Sequence, residues 1–188
     1  MHELHEWACT VVGDLLDGFD GDPAASMLGL LAFGYGQPVP VLLGSRWSEF
    51  DLPSCIWRVQ GQTLPLTAPF LVLLERYRRV CPDPVDHMFP GQGGGVLGKV
   101  QANARVLEVL REFFDLDDLR AVAVRLCPDL RGAEWRAECL RQYADLGATC
   151  EQVGALEQEL DRRLRSLVEG WHLALCLAKV MEARGLPR

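Results

Sequence analysis

The sequence predicts a mainly α-helical bundle with a small irregular or β-hairpin insert near residues 34–66. Three observations support this fold class. Over most of the 188 residues, apolar side chains recur at steps of three and four, the pattern of helices with one buried face. Capping residues precede several of these stretches, and helix-breaking prolines are frequent between 34 and 67. A content of 49% hydrophobic residues is enough to bury a core.

Two antiparallel helices are predicted at the N-terminal end. The first ends at the turn residues 17–23, and Asp22 with Pro23 then begins a second helix that runs to about Phe33. A short connection favours antiparallel packing of the two. The apolar stripe of the first helix consists of Leu4, Trp7, Ala8, Val11, Val12, Leu15, Leu16 and Phe19.

The insert is the least helical part of the sequence. Within it, the runs 39–43 and 55–59 are short and apolar. Gln60-Gly61-Gln62 is expected to turn the second run towards 63–66 as a small hairpin. We therefore expect strands only in this part of the chain.

A helix capped by Thr67 is predicted over 68–80, followed by a loop at 81–95 with three prolines and four glycines. This loop is the candidate boundary in the chain. The predicted organisation is an N-terminal helical region with the insert (1–80), a Pro/Gly-rich linker (81–95) and a C-terminal helical bundle (96–188).

Four further helices are predicted after the loop. The first carries an apolar stripe from Val96 to Phe114, and Asp115 with Asp118 caps the second, which Pro128 ends. A third helix begins near Trp135 and ends at Gly147. Thr149 with Gln152 begins a long terminal helix that runs to Gly185, with a bend expected at Gly170.

The overall charge of −7 disfavours nucleic acid as a partner, because affinity for phosphates comes from clustered positive charge. No apolar run approaches the roughly 20 residues that a membrane-spanning helix needs, and no signal peptide is recognisable. Seven scattered cysteines without a Cys-x-x-Cys pair are typical of a reducing compartment. We expect a cytoplasmic protein without disulfides, membrane contact or cofactor.

One glycine-rich segment matches the glycine and lysine spacing of a phosphate-binding loop. It runs from Gly93 to Lys99, and Gly95, Gly98 and Lys99 are its candidate anion-binding residues. Val100 stands where such loops have the serine or threonine that holds magnesium, and no buried strand precedes the segment. A flexible entry to the next helix is therefore favoured over a nucleotide site.

Histidines and cysteines provide no catalytic residue and no metal site by their spacing. His2 and His5 are one position too close for the metalloprotease pattern, although Cys9 would share their helix face. His87 and His172 lack a recognisable catalytic partner. The spacings of Cys127, Cys139 and Cys150 match no zinc pattern, so these residues are expected to pack as small hydrophobic side chains.

The segment Leu52-Pro53-Ser54-Cys55-Ile56 resembles the Leu-Pro-x-x-Ile core of F-box-like motifs, by which some viral proteins recruit a ubiquitin ligase. Leu52, Pro53 and Ile56 carry the resemblance. Only Lys99 and Lys179 are lysine among the 19 basic residues, a scarcity that would suit such a protein. The alternative is a local turn before a strand.

A second resemblance lies in the C-terminal half. The segment LREFFDLDDLR (110–120), then Leu126, CLRQY (139–143) and Gly147, is similar to the opening of prokaryotic effector-associated, death-like adaptor domains. The similarity spans about residues 105–165. It implies a small helical bundle that recruits a like domain on an effector of an immune or conflict system.

The sequence therefore favours a non-catalytic interaction or adaptor protein, working through helical surfaces of its C-terminal half on a protein partner, with oligomers as one outcome. The candidate interface residues are Asp117, Asp118, Arg120, Arg136 and Arg141. Two alternatives stay open. One is a viral or phage inhibitor that binds a host protein through the Leu-Pro-x-x-Ile segment, and the other is an anion- or nucleotide-dependent protein that uses 93–99.

Overall fold

A computed structural model describes residues 2–81, 86–91, 93, 95–110, 114–127 and 132–186. Within these residues, the chain is mainly helical and contains one three-stranded antiparallel sheet, which confirms the predicted fold class. The elements are α1 (His2–Asp17), α2 (Pro23–Tyr35), α3 (Val39–Leu43), β1 (Phe50–Asp51), β2 (Ile56–Val59), β3 (Gln62–Pro65), α4 (Ala68–Val80), α5 (Lys99–Leu110), α6 (Leu116–Leu126), α7 (Gly132–Asp145), α8 (Cys150–Ala174) and α9 (Leu177–Ala183).

Helix α2 lies at the centre of the molecule. The Asp22 carboxylate accepts a hydrogen bond from the Ala25 amide, as its predicted capping role requires, and Gly36 ends the helix in the left-handed conformation at φ 61°. Every residue from Ala24 to Tyr35 is buried. Helices α1, α4, α5, α6 and α8 pack around α2, so it has no face for solvent.

The insert contains the predicted hairpin. Strands β2 and β3 pair in register from Ile56 opposite Pro65 to Val59 opposite Gln62, and β1 pairs with the other edge of β2. Gln60 and Gly61 both have positive φ, at 48° and 74°, as a two-residue type I′ hairpin turn needs. The apolar run 39–43 forms the short helix α3 instead, because Pro38 and Pro40 fit the first turn of a helix.

Residues within the predicted linker (81–95) and next to it take part in the hydrophobic core. Met88, Phe89 and Leu97 are buried, and the Tyr77 hydroxyl donates a hydrogen bond of 2.8 Å to the Met88 carbonyl. Buried side chains from both sides of 81–95 belong to one hydrophobic cluster. Helix α4 begins after Thr67 as predicted, but the Thr67 side chain makes no capping hydrogen bond.

The C-terminal helices follow the predicted caps, with one correction. The Asp115–Asp118 and Thr149–Gln152 capping boxes are both formed. The predicted single terminal helix is wrong, because the chain breaks at Cys176, which has a φ of 55°, and restarts as α9. Gly170 lies within α8 and is not the point of the break.

Candidate functional site

Helices α7 and α8 pack against each other as a helical hairpin, and both contact β3. Gly147, at a φ of 81°, follows the end of α7, and the Thr149 hydroxyl accepts a hydrogen bond from the Gln152 amide to begin α8. A single short turn therefore reverses the chain and fixes the tip of the hairpin.

The outer half of this hairpin contributes no buried side chain. Residues 138–159 are all exposed or half-buried, and Leu160 is the first buried residue of α8. Two large apolar side chains are nonetheless exposed at the tip: Leu146 is 82% exposed and Tyr143 is 37% exposed. Asp145 and Glu151 are exposed near them, so the tip is an apolar knob beside negative charge.

Three of the predicted interface residues lie on α6, where each makes a bond within the protein. Asp117 forms an ion pair with Lys99 at 2.6 Å, between Oδ2 and Nζ. Asp118 closes the cap of α6 by accepting a hydrogen bond from the Asp115 amide. The Arg120 guanidinium donates through Nε to the Gly36 carbonyl at 3.1 Å and so stabilises the C-terminal end of α2.

The other two predicted interface residues belong to α7. Arg141 is exposed and forms an ion pair with Glu138, one turn away on the same helix. The side chain of Arg136 lies outside the described residues. Arg141 is thus the predicted residue that lies nearest in sequence to the apolar tip.

The glycine-rich segment folds back on the residues before it. The Gly91 amide donates to the Gly95 carbonyl at 2.6 Å, and Leu97 is buried. Gly95 and Gly98 are exposed, and Lys99 is the first residue of α5. The Lys99 ammonium group is directed to Asp117, so the structure brings this candidate anion-binding residue together with a candidate interface residue.

The Leu-Pro-x-x-Ile segment forms the turn between β1 and β2. The Cys55 amide donates to the Leu52 carbonyl at 3.1 Å, and Ile56 begins β2. Pro53 is exposed, whereas Leu52 packs against the core and Ile56 is half-buried. The local turn before a strand, one of the two readings that the sequence allowed, is the observed structure.

A cleft of about 380 Å³ lies where α4, α8 and α9 meet, and the sequence did not indicate that His172 is buried in its wall. His172 is only 3% exposed there. Its Nε2 lies 3.0 Å from the Gly34 carbonyl, an acceptor, so Nε2 carries the proton and donates. Nδ1 then accepts from the Thr67 hydroxyl at 2.8 Å. The residues that line the cleft are Thr67, Ala68, Pro69, Glu169, His172, Leu173, Cys176, Ala178 and Lys179.

Burial lowers the pKa of His172 to about 4, against the weaker opposing effect of its hydrogen bond to Gly34. The imidazole is therefore neutral at physiological pH. No local pattern in the sequence linked His172 to Thr67, 105 positions away.

A second, polar cleft of about 490 Å³ lies between the end of α1 and α5. Two of its carboxylates are paired with arginines: Asp22 accepts two hydrogen bonds from Arg105, at 2.5 and 2.6 Å, and Asp17 accepts two from Arg184. The Arg184 guanidinium holds the pKa of Asp17 below its usual value. These pairs join distant parts of the chain and are structural.

Comparisons with protein families, with characterised proteins and with solved structures find no match to this chain. Among the described residues, no group of three or more His, Cys, Asp or Glu side chains is arranged to hold a metal ion. The side chains of His2 and His5 are outside this description. None of the helices in the described ranges has the length and apolar character needed to cross a bilayer.

Proposed function

We propose that this protein is a non-catalytic adaptor that binds a second protein through the tip of the α7–α8 hairpin. The observation that carries the proposal is the 82% exposure of Leu146, with Tyr143 nearby. Both lie in the outer part of the hairpin, residues 138–159, where no side chain is buried. Exposed apolar side chains that are grouped on a projecting element are typical of a binding surface.

The shape and charge of the tip indicate the kind of partner. A convex apolar knob is complementary to a concave apolar pocket, and the exposed Asp145 and Glu151 favour positive charge at the rim of that pocket. The resemblance of residues 105–165 to death-like adaptor domains supports a helical domain of an immune or conflict system as this partner. The inhibitor and anion-dependent alternatives stay predictions.

The test compares two leucines of similar exposure. Leu146→Asp is made at the tip, and Leu173→Asp, at a residue 77% exposed on α8 beside the cleft, is the matched control. The full chain is used to isolate partners, and the affinity for each is then measured by calorimetry. Because a central apolar contact contributes about 2 kcal/mol or more, we expect Leu146→Asp to weaken binding about 30-fold. Leu173→Asp should leave the affinity unchanged.

A complex that survives Leu146→Asp, with both variants helical by circular dichroism, would show that the hairpin tip is not the binding surface. The mass of the protein in solution shows whether the partner is a second copy of this chain or a different protein. A dimer or larger species that the same substitution dissociates identifies a second copy as the partner. A monomer that acquires mass only on mixing identifies a different protein.

We also propose that the protein works in the cytoplasm. Seven cysteines are present as thiols, and none is joined in a disulfide. Fractionation of cells that express the tagged full chain tests this, and the protein should appear with cytoplasmic markers.

A further inference from the structure

Two cysteines that are far apart in the sequence meet in the fold. Cys9 lies in α1, Cys176 lies at the break between α8 and α9, and their thiols are within hydrogen-bonding reach of each other. Helix α9 packs against α1. Arg184 fixes this contact by donating to the Asp17 carboxylate and, at 3.1 Å, to the Gly13 carbonyl. The segments that carry the two cysteines are therefore held together by the surrounding structure.

Cys176 differs from Cys9 in access and in backbone conformation. It lines the cleft beside His172 and Lys179, so a small molecule that enters the cleft reaches this residue. Its φ of 55° is in the left-handed region, where glycine is favoured and a β-carbon costs about 1 kcal/mol. Unusual backbone of this kind often marks a position where the side chain has a task.

Burial of Cys9 and access to Cys176 give the two thiols different roles. Burial raises the pKa of Cys9 to about 11, and the hydrogen bond with Cys176 acts in the same direction. Lys179 and Glu6 also face Cys9 and act on it in opposite directions. Cys9 thus keeps its proton at neutral pH, and Cys176 is favoured as the first thiol to react because it lines the cleft.

We propose that Cys9 and Cys176 are a redox-active pair that a hydroperoxide converts into a reversible disulfide. The Cys176 thiolate attacks the peroxide, so that a sulfur–oxygen bond forms, the oxygen–oxygen bond breaks and the leaving oxygen takes up a proton. The Cys9 sulfur, after losing its proton, then attacks the Cys176 sulfenic acid, and hydroxide leaves and is protonated to water. With hydrogen peroxide, two thiols lose two electrons and two waters form. Two molecules of a small thiol reduce the disulfide by exchange, leave as their own disulfide and restore both cysteines.

The disulfide would link α1 to the α8–α9 junction, and thus the first helix to the last. Because the residues joined are 167 positions apart in the sequence, the link would remove much of the freedom of the unfolded chain. We therefore expect the oxidised protein to be more stable than the reduced protein. The outer hairpin proposed as the binding surface lies outside the closed contact, so this inference does not depend on the proposed function.

The test uses the folded, reduced full chain. It is treated with hydrogen peroxide, the remaining thiols are blocked with N-ethylmaleimide, and the protein is digested without reductant for mass spectrometry. We expect a linked peptide pair containing Cys9 and Cys176 to dominate the oxidised products. The midpoint of thermal unfolding should rise by about 5 °C or more and return to its original value with dithiothreitol.

Three variants locate the effect. Cys9→Ser and Cys176→Ser should each abolish the link and the rise in unfolding midpoint, and in Cys9→Ser a dimedone adduct should accumulate on Cys176. Cys150→Ser, which removes an exposed cysteine at the start of α8, should leave both intact. If either variant of the pair does not fold, the peptide map of the unaltered chain decides alone. Oxidation of other cysteines without the Cys9–Cys176 link, or a link that forms only in urea, would overturn the proposal.

Discussion

His172 shows how one buried side chain connects helices that are distant in the sequence. Its two ring nitrogens hold the end of α2, through the Gly34 carbonyl, and the start of α4, through the Thr67 hydroxyl. The imidazole also packs against the rings of Tyr35 and Phe70, with centroids 5.0 and 4.6 Å away. The Thr67 hydroxyl makes its hydrogen bond to His172 and makes no capping hydrogen bond to α4. A capping residue can therefore be recognised in a sequence while the partner of its hydroxyl cannot.

This arrangement predicts a loss of stability in mild acid. The pKa of His172 falls from 6.5 in the unfolded chain to about 4 in the fold, so the unfolded state binds the proton first as the pH decreases. The contribution of His172 to the free energy of unfolding is fully present above about pH 6.5 and is lost progressively as the pH falls to about 4. Between pH 7 and pH 5 the loss should be about 2 kcal/mol, measured as the free energy of unfolding in urea.

His172→Gln is the control for this prediction. Glutamine keeps polar atoms at the site but does not titrate, so the variant should be less stable at pH 7 and should lose much less stability between pH 7 and pH 5. An equal loss in the variant and the unaltered protein would assign the acid sensitivity to other groups.

Among the elements, the helix boundaries show which features can be read from the sequence. Asp22, Asp115 and Thr149 begin helices as predicted, because a cap depends on residues only three positions apart. The hairpin turn at Gln60-Gly61 is equally local. The break at Cys176 could not be predicted, since the apolar stripe continues through it and cysteine has no preference for the positive φ found there.

The residues of the candidate binding surface were harder to predict from the sequence than the fold was. Alternating charge on α6 indicated an interface, but Asp118 and Arg120 serve the ends of α6 and α2. The contact of Arg120 with Gly36 spans 84 positions and leaves no local pattern. Leu146 lies just before Gly147, the predicted end of a helix, and its exposure depends on how far the hairpin extends beyond the core. Tertiary contacts decide which charged residues are available for a partner.

Two glycines in helices are expected to respond in opposite ways to alanine. Gly170 lies within α8 with open space where a β-carbon would be, so Gly170→Ala should stabilise the protein by about 0.5 to 1 kcal/mol. At Gly34 a β-carbon would lie 2.5 Å from Cζ of the buried Phe70. Gly34→Ala should therefore destabilise the protein by about 1 to 3 kcal/mol. Urea unfolding measures both, and a loss of stability in Gly170→Ala would contradict the expected gain in helix propensity.

For the whole molecule, the single hydrophobic cluster predicts cooperative unfolding. Buried residues of α1, α2 and α4 belong to the same cluster as those of α5, α6 and α8, and ion pairs such as Asp22–Arg105 cross the segment 81–95. We expect far-ultraviolet circular dichroism and tryptophan fluorescence to report the same transition in urea. Two separated transitions would instead show that the halves predicted from the sequence fold independently.

The complete burial of α2 also has a consequence for synthesis of the protein on the ribosome. The Phe33 carbonyl accepts a hydrogen bond from the indole N–H of Trp171, 138 positions further along the chain, so the apolar segment leaves the ribosome long before its last packing partner exists. Synthesis adds about 5 to 20 residues per second, so the nascent chain exposes this segment for about ten seconds. Chaperones that bind apolar peptides have that interval to act, and slower growth or added chaperone should increase the yield of folded protein.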